Sequence, residues 1–140
     1  MLRVAFFYLL LLAVVWLAFR RGDRETRAAG LVALTATLLS AASVRLLGGG
    51  QPVEAAVAMV DLAVLALFVA IALRSNRFWP LWVAGLQLTT VLAHLLRMLS
   101  PDLVYFAYQA AMRFWSYPIL FIIAAAALRT RRYEVEARPA

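Results

Sequence analysis

Cysteine is absent from the 140 residues, which excludes disulfides, thiolate-bound metals, iron–sulfur clusters and a cysteine nucleophile. Histidine occurs once, as His94, so neither a bis-histidine haem nor a zinc site built on a histidine cluster has its ligands within one chain. Lysine is missing as well: all fourteen basic residues are arginine. Charge of either sign is scarce, at 15% of residues, less than a water-facing surface needs. Asp61 is the only acid deep inside an apolar run, which leaves an intramembrane aspartyl protease without its second carboxylate. Gly48-Gly49-Gly50 is a glycine run, but no Gly-Lys-Ser/Thr follows it, and it does not read as a phosphate-binding loop. The expectation is a non-enzymatic chain with no cofactor and no metal site.

What is abundant is hydrophobic surface. Hydrophobic residues make up 66% of the chain and the mean hydropathy is +0.86, values suited to lipid as solvent. Five apolar runs are present, at residues 2–19, 29–47, 53–73, 78–99 and 103–128. Each approaches or exceeds the roughly 20 helical residues that cross a hydrocarbon core about 30 Å thick. The predicted fold class is therefore all-α: one integral membrane bundle of five transmembrane helices, followed by a short basic tail at 129–140. Arg20 and Arg21 follow the first run in place of a small-residue cleavage site, so it is expected to remain as an uncleaved helix. Pro52, Pro80 and Pro101 fall near helix starts, where a missing N–H is tolerated.

The net charge of +7 sits mostly in short connections, a pattern that points to membrane topology and anionic headgroups rather than nucleic acid. Arg20, Arg21, Arg24, Arg27, Arg74, Arg77, Arg129, Arg131, Arg132 and Arg138 gather on one side of the proposed spans. The positive-inside rule then places the N-terminus outside and the C-terminus in the cytoplasm. Arginine without lysine, beside abundant alanine, reads as the coding bias of a GC-rich genome and so as a bacterial inner membrane. Expected partners are the lipid bilayer and a membrane protein or a second copy of the chain.

Polar residues inside the spans carry the specific content, because an intramembrane charge needs a partner or a wet cavity. Counted inward at 1.5 Å per residue, Asp61 lies roughly 12 Å deep, Arg113 roughly 15 Å and His94 roughly 8 Å from the outer face. Arg45, Glu54 and Arg97 lie close to the same face. Helical spacing groups them further: Glu54 and Asp61 are two turns apart, Gln87, Thr90, His94 and Arg97 share one face, and so do Tyr105, Gln109, Arg113 and Ser116. The expected arrangement pairs Asp61 with Arg113 and Glu54 with Arg45 or Arg97, while His94, Gln87 and Gln109 complete hydrogen bonds. Two readings of this cluster stand side by side: a structural network that orients three helices, or a site for a ligand, anion or proton.

Two further features bear on packing. The second run sets Ala29, Ala33, Thr37, Ala41 and Arg45 at four-residue steps, a small-residue ridge that allows close helix approach within the monomer or across a dimer. Pro118 removes a backbone donor in the middle of the fifth run and predicts a kink there.

At Arg77-Phe78-Trp79-Pro80-Leu81-Trp82 and Trp115-Ser116-Tyr117-Pro118, with Leu86-Gln87-Leu88 and Ala93-His94-Leu95 between them, the chain resembles small multi-pass inner-membrane proteins of GC-rich Gram-negative bacteria. The resemblance covers about the last two-thirds and implies the same five-helix plan. No activity comes with it. The function expected from the residues is binding of a partner protein, lipid or small ligand through a polar pocket in the outer half of the membrane. The alternative is a small proton- or anion-linked transporter or channel.

Overall fold

A computed structural model describes the backbone of residues 2–99 and 105–136 and the side chains of residues 4–99 and 114–129. The described residues form five α-helices: α1 (Leu2–Arg21), α2 (Arg24–Leu47), α3 (Gln51–Arg74), α4 (Trp79–Leu99) and α5 (Tyr105–Glu136). Helices α1 to α4 are each long and apolar enough to cross a membrane. The helices outrun the apolar segments: α2 takes in Arg24 to Arg27, and α5 continues past Arg129 to Glu136.

The connections show why the helices stop where they do. Gly22 closes α1 with its N–H on the Ala18 carbonyl at 2.9 Å. A Cβ at Gly22 would overlap the Thr26 hydroxyl and lie 2.5 Å from the Ala18 carbonyl oxygen, so this turn admits only glycine. Asp23 then caps α2: its carboxylate accepts from the Thr26 N–H and hydroxyl, both at 2.9 Å. Helix α2 ends on Gly48, whose φ of 74° is the left-handed conformation that glycine adopts without strain.

Each helix packs against its neighbours in sequence, and α5 returns against α1, closing a ring; α2 and α5 also touch. Leu11, Val14, Phe68, Val83, Leu120 and Ile123 form the centre of the packed interior. The small-residue ridge of α2 turns inward: Ala29 is fully buried, and Ala33, Thr37 and Ala41 line a central cavity. Phe6 and Phe7 dock on Tyr117 of α5, at ring separations of 6.3 and 5.7 Å, and so tie the first helix to the last.

Polarity is distributed in the reverse of a water-soluble protein. Thr26, Gln87, Thr90 and His94 are buried, whereas Leu9, Leu38, Met59 and Phe121 are each more than half exposed. An apolar exterior wrapped around hydrogen-bonded polar side chains is the arrangement that lipid favours.

Candidate functional site

Helix α4 supplies one buried polar face. Gln87, Thr90 and His94 follow one another at three- and four-residue steps and are all buried, while Leu88, Leu92, Leu95 and Leu96 point outward. Opposite them, two turns into α3 from Glu54, stands Asp61. Gln87 Nε2 donates to Asp61 Oδ1 at 2.9 Å and to the Asp61 carbonyl at 3.2 Å. The other carboxylate oxygen, Oδ2, lies 2.9 Å from His94 Nε2. This contact holds in either protonation state, since Nε2–H can donate to a carboxylate or a protonated carboxyl can donate to bare Nε2. The Asp61 side chain is 19% exposed and that of His94 6%, so the pair lies in a low-dielectric setting where its hydrogen bonds are strong and its separation costly.

Asp61 forms part of the wall of a cavity of about 450 Å³ to which all five helices contribute. Most of its lining is apolar, from residues such as Leu11, Val64, Phe68 and Leu120, with Tyr8, Thr37, Ser40, Gln87, Thr90 and Ser116 as the uncharged polar side chains. The hydroxyl of Thr37 is already bonded to the Ala33 carbonyl of its own helix at 2.9 Å. A second cavity, of about 530 Å³, opens nearer the helix ends and is lined by Gln51, Glu54, His94, Arg97 and Met98 among others. There Arg97 Nε stands 3.9 Å from Glu54 Oε2, with the glutamate side chain 39% exposed.

No family model, curated protein or solved structure matches the chain. The site is thus read from its own geometry.

Of the residues singled out by spacing, the structure brings together Asp61, Gln87 and His94, and separately Glu54 and Arg97. Arg45 is exposed near the end of α2 and makes no ion pair among the described residues; the acid close to Arg97 is Glu54. The side chains of Arg113 and Gln109, and with them the expected Asp61–Arg113 pair, lie outside the described residues.

A second polar cluster, at the opposite end of the bundle, is not visible in sequence. Arg77 donates to Asp23 Oδ2 at 2.8 Å, Ser75 Oγ donates to Glu25 Oε2 at 2.7 Å, and Arg27 Nε donates to the Gly22 carbonyl at 3.1 Å. These contacts join the α1–α2 and α3–α4 connections. In the Arg77–Asp23 and Ser75–Glu25 contacts the partners stand about fifty residues apart in the chain, and no spacing rule reaches that far. Trp79 Nε1 is buried without a partner among the described residues.

Proposed function

We propose that this chain is a multi-pass protein of a bacterial inner membrane, with its N-terminus outside, and that it binds a small ligand in the central cavity rather than catalysing a reaction. The observation that carries the reading is a single carboxylate, Asp61, held by Gln87 and His94 on the wall of a mostly apolar cavity of about 450 Å³. That volume falls within the range of small-molecule sites, and an apolar lining with a few convergent polar groups is their usual composition. A purely structural carboxylate would be expected to be packed over on every side. Lipid, a partner protein and a second copy of the chain remain the other occupants to which the expected polar pocket was open.

The test is native mass spectrometry of protein extracted gently from its own membrane. A small molecule bound in stoichiometric amount is expected, and it should be lost when Ala41→Phe fills the cavity while helicity is retained. If the wild-type protein carries nothing, or if Ala41→Phe carries the same molecule, the reading fails. The transporter alternative is favoured by one specific observation, namely that His94 faces a second cavity on the far side of Asp61.

A further inference from the structure

We propose that the Asp61–His94 pair passes a proton between the two cavities, and that in the central cavity this proton exchanges with a lipophilic monocation. The proposal rests on the reading of the central cavity as a ligand site and adds the class of ligand and its coupling. The placement of the pair carries it. Asp61 lines the central cavity and His94 does not, whereas His94 lines the outer cavity and Asp61 does not. Their 2.9 Å contact is therefore a partition between two chambers, made of the two side-chain types best suited to hand over a proton.

The charges around the pair set what the central cavity accepts. From α1, Tyr8 faces the cavity; from α2, Thr37 and Ser40; from α5, Ser116. From α4 come Gln87 and Thr90, and Asp61 is the only charged residue among the described lining. On the outer side stand Glu54 of α3 and Arg97 of α4, one of each sign. Counted along the sequence, Arg113 of α5 falls at a similar depth; its side chain lies outside the described residues. A carboxylate on an apolar wall is stabilised by a proton or by a cation, and the two compete for the same charge. Phe7, Tyr8 and Phe68 are among the lining residues, and aromatic side chains suit a cation with an apolar body.

The proton step balances without any further reactant. A proton reaching the imidazole from the outer cavity makes it an imidazolium. Its Nε2–H proton then passes to Asp61 Oδ2, which leaves a neutral imidazole and a neutral carboxyl. Entry of the cation reverses the sequence: the carboxyl returns its proton to Nε2, and the imidazolium releases a proton to the outer cavity.

Tetraphenylphosphonium and tetraphenylborate, alike in shape and opposite in charge, are suitable probes for the full chain in nanodiscs of zwitterionic lipid. Binding is measured at about pH 6 and about pH 8.5, and released protons are counted in weak buffer. The phosphonium ion is expected to displace protons as it binds and to bind more tightly at the higher pH, because proton and cation share one site. Asp61→Asn should abolish both binding and release. It keeps the shape of the side chain, can still accept from Gln87 and can donate to bare His94 Nε2, so its fold is preserved. His94→Gln should keep phosphonium binding but slow proton release about tenfold or more after rapid mixing.

Equal affinity at both pH values, binding without proton release, or undiminished binding to Asp61→Asn would overturn the exchange. An unchanged release rate in His94→Gln would overturn the passage through the pair. Equal binding of both ions, blocked by Ala41→Phe, overturns the exchange but leaves the cavity a ligand site. Binding of neither ion also overturns the exchange, and the mass-spectrometric measurement then decides the ligand site by itself.

Discussion

Asp23 performs two tasks with two oxygens. Oδ1 caps α2 through Thr26, while Oδ2 meets Arg77 from the α3–α4 connection. The tasks separate by substitution. Asn caps a helix about as well as Asp, so Asp23→Asn loses only an ion pair whose arginine is 42% exposed, a loss expected to stay below about 1 kcal/mol. Asp23→Ala removes the cap as well and should cost about 1 to 2 kcal/mol more. Denaturant titration of both variants in micelles checks the order, and equal losses would show that the cap contributes nothing. Neither role is given by the apolar pattern, whose second run begins only at residue 29, five residues after α2 starts. The second depends on how two connections meet in space.

At the scale of the helix, α4 illustrates what spacing reveals and where it stops. Gln87, Thr90 and His94 recur at helical intervals among leucines, and that alone identifies a polar face, because lipid leaves unpaired polar groups nowhere else to go. Which oxygen of Asp61 receives which donor depends on the rotation of α3 against α4, and no single-helix pattern contains it. The expected guanidinium partner of Asp61, from Arg113, lies outside the described residues, and the described contacts of Asp61 are an amide and an imidazole. The docking of Phe6 and Phe7 on Tyr117 shows the same limit, since no pattern within α1 names a partner in α5. Gln87→Leu removes both Gln87 bonds to Asp61 and leaves the carboxylate with His94 as its partner among the described residues. Interhelical hydrogen bonds in membranes are worth about 0.6 kcal/mol on average and up to about 1.7, so a loss near 1 kcal/mol is expected in unfolding titrations. A neutral or stabilising effect would mean that Asp61 takes its support from elsewhere.

The whole molecule is legible to the extent that its apolar runs dictate it. Helix count and order follow from apolar runs, because a chain in hydrocarbon must satisfy its own backbone. The closed ring of helices does not follow from them, and neither do the two cavities. The proposed orientation has a direct check, since a chain without cysteine accepts single reporters cleanly. Gln51→Cys, at the start of α3, and Asn76→Cys, in the α3–α4 connection, place thiols on exposed positions at opposite ends of the bundle. In intact cells an impermeant maleimide should label the first and not the second; the reverse pattern would invert the topology. The apolar exterior has a thermal consequence too. A soluble domain gains about 12 to 15 cal/mol/K per residue on unfolding because apolar surface enters water. Here Leu9, Leu38, Met59 and Phe121 already face outward in the folded state, and helices that separate within lipid bring little new surface to water. Calorimetry in bicelles should therefore find a heat-capacity increment far below the soluble value. The stability of the bundle would then change almost linearly with temperature, with no optimum near room temperature and no unfolding in the cold.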